Sequence, residues 1–148
     1  METSVEYLAY SLGAEEYAID ILKVREIRAY ETPTRIAGAP ASMKGVINLR
    51  GTIIPIVDMR IRNGAAQVAY DESTVVIILE LSARMIGIVV DGVSDVLHID
   101  AANLRPVPEM NSFDARHMTG LATHEGRMLI VVDVEALFAL DGHTAKAA

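Results

Sequence analysis

The chain has 148 residues, of which 51% are apolar, and a formal net charge of −7. The acidic balance without a clustered basic face argues against nucleic acid as the main partner. The absence of cysteine excludes disulfides, thiolate metal sites and cysteine nucleophiles. Because the N-terminal residues lack the pattern of a signal peptide and no apolar run approaches the roughly 20 residues of a membrane span, we expect a cytoplasmic protein without direct membrane insertion.

The first predicted element is a β-hairpin. Residues Tyr7–Leu12 form a short apolar run, a Gly-Ala-Glu-Glu turn follows, and Tyr17–Val24 resumes an extended pattern. A second hairpin with the same outline is predicted from the apolar runs Val75–Leu81 and Met85–Val90. The similarity of the two hairpins suggests that the chain repeats itself.

An internal repeat covers most of the sequence. A shift of 69 positions places Ile19 on Ile88 and Glu26 on Asp95, and a shift of 75 places residues 45–58 on residues 120–133. In both copies of the latter block, two apolar strands flank a turn that contains glycine, and an aspartate ends the second strand. We infer an ancient duplication with about five strands in each half.

The repeat predicts the fold class. A few strands with one apolar face must roll into a barrel or stack on another sheet to close a core. We therefore expect an all-β single domain over residues 1–148, built from two barrels at approximately 14–65 and 74–140, with an exchange of terminal strands left open. Helix is predicted only as one turn at Pro40–Lys44 and about two turns at Val134–Leu140, ended by Gly142.

The aspartates invite an acid–base interpretation, because hydrolases often use paired carboxylates. However, Asp58 and Asp133 occupy matching strand ends before helix-forming residues, where a carboxylate caps backbone N–H groups and stabilises by about 1 kcal/mol. Asp91 precedes Gly92 and is typical of a turn. We favour capping and turn roles, and an acid hydrolase that uses Asp91 stays as the alternative.

Other catalytic and cofactor patterns are missing from the sequence. The histidines lack metal-ligand spacing, and the segment from Gly45 to Gly51 is not followed by the Lys-Ser/Thr pair of a phosphate loop. No serine occupies a Gly-x-Ser-x-Gly elbow. We expect no enzyme activity, no metal and no cofactor.

Two charged residues lie beside apolar residues in the sequence. Arg50 lies between Leu49 and Gly51 at a predicted tight turn, and Glu26 follows an apolar strand. An arginine on a turn can contact a partner's carboxylate or carbonyl oxygens with its planar fork. An internal ion pair between Arg50 and Glu26 is the competing interpretation, and the chemistry of the residues does not decide between the two.

Several blocks resemble the CheW family of chemotaxis coupling proteins. They are Glu16–Ile27, Met43–Gly51 with Ile54–Asp58, Gly87–Val96, and Thr119–Leu121 with Met128–Ile130. They occur in the family's order and span nearly the whole chain. The resemblance implies two similar, intertwined five-stranded SH3-like β-barrels with short helices, which agrees with the repeat, and it implies no catalysis.

The resemblance also implies partners. A protein of this family is a scaffold that couples the cytoplasmic tips of methyl-accepting chemoreceptors to the regulatory domain of the histidine kinase CheA. It is recruited to membrane receptor arrays, where it alternates with that domain in rings and can also associate with itself. An adaptor of a non-flagellar chemosensory pathway is an alternative with the same chemistry.

Site residues follow from the matching positions. The resemblance implies receptor binding near the junction of the barrels by Ile21, Val24, Glu26, Arg50, Val75 and Val96, and kinase binding by Arg28 and Gly45. Such a groove is physically reasonable, because apolar residues would supply binding energy and charged rim residues would fix the register of a docked helix. Gly45 and Gly51 are expected to serve tight turns, since glycine reaches positive φ at little cost.

Overall fold

The computed structural model describes residues 4–65, 67–82, 84–107 and 118–138. Within these ranges the chain forms strands β1 Ser4–Leu12, β2 Glu15–Asp20, β3 Val24–Ala29, β4 Met43–Leu49, β5 Thr52–Asp58, β6 Val75–Glu80, β7 Met85–Val90, β8 Gly92–Asp100, β9 Leu104–Arg105, β10 Met118–His124 and β11 Arg127–Val132. The helical pieces are α1 at Met59–Arg62, 3₁₀ turns at Ile21–Lys23 and Ala101–Asn103, and residues 134–138. The all-β prediction is confirmed.

The strands form two sheets with corresponding strand orders. One sheet has the order β8-β1-β2-β11-β10-β9, and the other has the order β3-β6-β7-β5-β4. In the repeat, β1 to β5 correspond to β6, β7, β8, β10 and β11. The five-stranded sheet therefore joins the leading hairpin of the second repeat to three strands of the first. The six-stranded sheet joins the leading hairpin of the first repeat to the three corresponding strands of the second and to the short β9, so the exchanged element is a whole hairpin.

The exchange makes both compact units discontinuous in sequence. The first unit holds the described residues of Met1–Ala9, Glu15–Ile21 and Ser94–Ala148, and the second holds Tyr10–Ala14 and those of Leu22–Val93. The predicted segments 14–65 and 74–140, in contrast, are continuous. A hairpin contributed from the other repeat accounts for this difference.

The strand registers reproduce the repeat. In the β4–β5 pair, Met43 lies opposite Val57, and in the β10–β11 pair, Met118 lies opposite Val132 at the positions shifted by 75. Both pairs carry a register shift just before a glycine, Gly45 in one and Gly120 in the other. The two halves inferred from the sequence thus share even the register shift that precedes this glycine.

Each unit has its own apolar core. In the second unit the core side chains come from β4, β5, β6 and β7, namely Leu49, Ile54, Ile56, Val76, Ile78 and Val89. In the first unit they come from β1, β2, β8, β10 and β11, namely Tyr7, Ala9, Ala18, Leu97, Ile99, Ala122, Leu129 and Val131. Alternate residues of the strands face these cores, as period-two patterning requires.

Two local predictions were wrong. Pro40–Lys44 is not a helical turn, because the Met43 amide donates to the Pro40 carbonyl in a tight turn (3.0 Å) and β4 begins at Met43. Tyr17–Val24 is not one extended stretch, because the 3₁₀ turn at Ile21–Lys23 separates β2 from β3. The predicted helix at Val134–Leu140 is confirmed over residues 134–138, while Leu140 and Gly142 lie outside the described residues.

Candidate protein interaction site

The hairpin β4–β5 places Arg50 at its tip. Arg50 and Gly51 form a two-residue loop in which both have positive φ, 50° and 92°, as a type I′ turn requires. The Gly51 amide donates to the Asn48 side chain at 2.8 Å, which supports the turn. The tip is therefore a fixed platform from which the Arg50 side chain extends, 68% exposed.

Arg50 is ion-paired with Glu26, and the internal pair considered from the sequence is present. Arg50 Nη2 lies 2.7 Å from Glu26 Oε1. Glu26 Oε2 accepts a second bond from Arg28 Nη1 at 3.1 Å, and Arg28 Nη2 lies 3.5 Å from Glu31 Oε1. These residues form a line of alternating charge that runs from the β4–β5 tip along β3 to the segment that follows it.

The two arginines set the electrostatics of this line. The hydrogen bond from Arg50, followed by that from Arg28, holds the pKa of Glu26 below its ordinary value, since both bonds favour the charged carboxylate. Glu26 remains ionised at neutral pH. Because one guanidinium nitrogen of Arg50 is used by Glu26 and most of the side chain is exposed, Arg50 retains donors for a second carboxylate or carbonyl.

The other predicted receptor-binding residues divide between the two units. Val24 and Val75 belong to the second unit, as Glu26 and Arg50 do, and each is half-buried. Val24 lies opposite Leu79, and Val75 lies opposite Ala29, both across the β3–β6 pair. Ile21 and Val96 belong to the first unit, where Ile21 is half-buried in a 3₁₀ turn and Val96 is exposed on β8.

The two predicted kinase-binding residues have different environments. Arg28 is part of the charge line through Glu26. Gly45 is buried in β4 at φ 142°, not in a tight turn, and a Cβ built on it would overlap the carbonyl oxygen of Thr34. Thr34 and Val46 exchange two backbone hydrogen bonds of 2.9 Å beside it. Gly45 thus permits a close backbone contact, whereas Gly51 serves the turn as expected.

The first unit contains a related acid–arginine cluster that sequence reasoning missed. Arg127 at the start of β11 makes two hydrogen bonds to Glu16, of 2.9 and 2.8 Å, and its Nη2 lies 3.3 Å from Asp95 Oδ1. The hydrogen bond from Arg127 lowers the pKa of Glu16 despite the partial desolvation that opposes it. Asp95 corresponds to Glu26 in the internal repeat. This correspondence is the sequence feature that could have pointed to the cluster.

A buried polar network surrounds Asp58, at the end of β5. Its carboxylate is fully buried and accepts bonds from Arg60 Nε at 3.0 Å, Arg60 Nη2 at 2.9 Å and the Tyr70 hydroxyl at 2.7 Å. Burial alone would raise the pKa of Asp58, but the bonds from Arg60 and Tyr70 outweigh it and lower the pKa. A fully buried charge is tolerated here because it is paired and hydrogen-bonded.

The predicted capping roles are confirmed. Asp58 caps α1 by accepting from the Arg60 amide at 3.0 Å, and Asp133 accepts from the Ala136 amide at 3.2 Å before the helical residues 134–138. Asp91 accepts from the Gly13 amide at 2.6 Å and from Arg60 Nη1 at 3.1 Å. These roles hold the leading hairpin turn and α1 in place within the second unit.

Within the described ranges, Asp91 and Asp58, the carboxylate with which it shares Arg60, are not arranged as an acid–base pair of the hydrolase type. A general acid needs a raised pKa. In the described ranges, each carboxyl group whose pKa is shifted has it lowered, namely Glu16, Glu26, Asp58 and Asp71. Arg60 bridges Asp58 and Asp91, so these two carboxylates are separated by a cation.

Metal-binding clusters and membrane-spanning helices are both absent from the described part of the chain. No group of three or more histidine, aspartate or glutamate side chains there is arranged to hold a metal ion. No helix in these same ranges has the length and apolar character needed to cross a membrane.

Comparisons with known proteins agree with one another. A family model described as CheW-like domain matches residues 6–141. The chain is 53% identical over 133 residues to a protein named chemotaxis protein CheW from Klebsiella aerogenes, covering 89% of this chain and 80% of that protein. It is 36% identical to a protein of the same name from Rhizobium meliloti, over 90% of this chain and 86% of that protein.

A solved structure shares the fold. The scaffolding protein TtCheW from Thermoanaerobacter tengcongensis superposes with a TM-score of 0.80 at 31% sequence identity, covering 86% of this chain and 88% of that one. Fold, repeat and sequence identity all point to one family. The chain belongs to the CheW-like family of chemotaxis adaptor proteins.

Proposed function

We propose that the chain is a non-enzymatic adaptor that couples methyl-accepting chemoreceptors to the histidine kinase CheA, with the Glu26–Arg50 pair at the centre of its receptor-binding surface. The observation that carries this proposal is the exposed arginine on a rigid turn, already charge-balanced by Glu26. The relatives named chemotaxis protein CheW and the scaffolding protein of the same fold support the coupling role.

The receptor-binding surface includes Ile21, Val24, Val75 and Val96 in this proposal. Apolar contacts with these residues would supply the binding energy, and Glu26 and Arg50 would fix the register of a helical receptor tip. The kinase regulatory domain contacts a surface that depends on Arg28 and Gly45. The adaptor acts in the cytoplasm, is recruited to receptor arrays, and can associate with further copies of itself in rings.

The Glu26–Arg50 pair can be tested by reversing its charges. We expect Arg50→Glu to reduce receptor-dependent activation of the kinase by at least about tenfold. The variant presents two neighbouring carboxylates, at positions 26 and 50, to a partner that binds an arginine paired with a glutamate in the unmodified chain. Its free energy of unfolding should change by no more than about 1 kcal/mol, since the Arg50 side chain is largely exposed. The measurements are kinase autophosphorylation in a reconstituted ternary complex and urea denaturation of the variant alone.

Two controls separate a binding role from a structural one. Arg105→Glu makes the same change of charge at another exposed arginine, in the first unit, and should leave activation unchanged. Glu26→Arg/Arg50→Glu restores an internal ion pair but reverses the charges that the surface presents to the receptor. This variant should fold and still fail to support activation of the kinase. Recovery of activation by this double variant would show that only the internal pair matters and would contradict the proposed surface.

A further inference from the structure

A groove in the second unit lies apart from the Glu26–Arg50 pair. It has a volume of about 570 Å³ and runs between the segment from Thr32 to Lys44 and the side chains of Tyr30 and Tyr70. Pockets of roughly 300–1,000 Å³ accommodate small ligands or a few side chains of a peptide. We call this feature the Arg35–Lys44 groove.

Aromatic rings and aliphatic side chains build its walls. The rings of Tyr30 and Tyr70 stack with centroids 4.3 Å apart, and Lys44 Nζ lies 5.6 Å from the centre of the Tyr70 ring. The Tyr70 hydroxyl is fixed by its bond to Asp58. Ile36 and Met43 add apolar surface, and Ile36 is 46% exposed. The groove therefore offers a preformed surface that combines apolar side chains with polar groups.

The two cations of the groove lack carboxylate partners in the described ranges, as Arg105 of the first unit does too. Neither Arg35 nor Lys44 has an ion pair with any residue in the described ranges, whereas Arg25, Arg28, Arg50, Arg60 and Arg127 are all paired with carboxylates. No aspartate or glutamate lines the groove. On a protein with a net charge of −7, two cations without carboxylate partners in one concavity favour an acidic ligand.

Gly45 keeps the groove in shape. The Thr34–Val46 backbone pair holds the segment that carries Arg35 against β4, and a Cβ on Gly45 would also come within 3.2 Å of the Arg35 Cα. A side chain at position 45 would push this segment away and displace Arg35 relative to Lys44. The separation of the two cations thus depends on the missing side chain of Gly45.

We propose that the Arg35–Lys44 groove binds a short acidic segment of a partner protein, in which carboxylates flank an apolar side chain. The carboxylates would pair with Arg35 and Lys44, and the apolar side chain would pack against Met43, Ile36 and the tyrosine rings. A peptide fits better than a small anion, because aromatic and aliphatic side chains line the groove beside the two cations.

The test is an amide NMR titration of the full chain with the blocked peptide Glu-Asp-Leu-Asp-Glu. We expect saturable shifts at residues 30–44, with binding that weakens as salt is added. Arg35→Glu/Lys44→Glu should weaken binding by at least about tenfold. Arg35→Lys/Lys44→Arg should bind, and Arg25→Glu/Arg105→Glu, which changes net charge equally, should bind like the unmodified chain.

Three outcomes would overturn the proposal. They are the absence of saturable shifts in the groove, equal binding of a peptide with lysine at each acidic position, and equal shifts with inorganic phosphate, which would mark a general anion site. Dispersed spectra of all variants confirm folding before the titration. Because neither receptor nor kinase is present, failure of this experiment leaves the adaptor proposal standing, and failure of kinase coupling leaves this one standing.

Discussion

Arg60 makes several polar contacts within the second unit. It bonds to the fully buried Asp58, to Asp91 and to the Ala69 carbonyl oxygen at 2.7 Å, and its guanidinium carbon lies 4.9 Å from the centre of the Tyr70 ring. It thereby joins the end of β5, the end of β7 and the segment before β6. Arg60 should therefore contribute much more to the free energy of unfolding than an exposed arginine does.

The contribution of Arg60 can be measured by comparing Arg60→Met with the same substitution at an exposed arginine. Arg60→Met should lower the free energy of unfolding by about 3–5 kcal/mol, because it leaves the Asp58 carboxylate buried without its partner. Arg25→Met removes an exposed pair with Glu80 and should cost less than about 1 kcal/mol. Urea denaturation of both variants measures the difference, and equal losses would contradict a stabilising role for the network.

The same carboxylate predicts sensitivity to acid. The pKa of Asp58 in the folded chain is held below its ordinary value of 3.8, so the unfolded chain binds the proton more readily. The stabilisation is therefore present above that value and is lost as the pH falls through the lower folded pKa. Between about pH 5 and pH 3 we expect the unfolding free energy to fall, with up to about 1.4 kcal/mol per pH unit from this group.

Asp58→Asn isolates that contribution. Glu16 and Glu26 also have lowered pKa values, but they titrate in both chains and cancel in the comparison. The variant should be less stable at neutral pH and should show a shallower decline in acid. Parallel declines for the two chains would assign the acid sensitivity to the other carboxyl groups.

At the scale of elements, the two long hairpins share one irregularity. Gly45 in β4 and Gly120 in β10 follow equivalent register shifts, and each brings its backbone against another segment. A Cβ on Gly120 would lie 2.7 Å from the Arg105 carbonyl oxygen, as a Cβ on Gly45 would overlap that of Thr34. The bulge thus occurs in both repeats together with a close backbone approach.

Alanine substitution distinguishes this role from a turn role. Gly45→Ala should cost about 1–3 kcal/mol more than Gly51→Ala, because it adds steric overlap to backbone strain, whereas a Cβ on Gly51 has no atom within 4 Å. Thermal or urea unfolding of both variants measures the difference. Similar losses would mean that the Thr34 segment moves aside at little cost.

The sequence predicted the elements better than their side-chain partners. The spans of β6, β7 and the hairpin β4–β5 followed from apolar periodicity and turn residues, which are local signals. Pro40–Lys44 was wrong because pairing of Met43 with Val57 overrides local helix preference. The repeat pointed to Asp95, but the partners of Arg127 and Arg60 did not follow from local patterns, since Glu16 and Arg127 lie 111 positions apart and Arg60 and Asp91 lie 31 apart. The predicted binding roles of Ile21, Val24, Glu26, Arg50, Val75 and Val96 stay predictions.

At the scale of the whole molecule, neither repeat supplies a complete sheet. Hairpin β1–β2 lies between β8 and β11, and hairpin β6–β7 lies between β3 and β5. We expect fragments 1–66 and 67–148 to be unfolded separately and to regain β structure when mixed in equal amounts. Far-ultraviolet circular dichroism measures this, and a fragment that folds alone would contradict the dependence of each sheet on both repeats.

The exchange of hairpins has a consequence for synthesis on the ribosome. The five-stranded sheet has all its strands once Val90 has been made, but β2 ends at Asp20 and its neighbour β11 begins at Arg127. At about 5–20 residues per second, the apolar first hairpin waits roughly 5–20 s for that neighbour. The nascent chain thus exposes an unpaired strand edge until Arg127 has been made, and such an edge can pair with another chain.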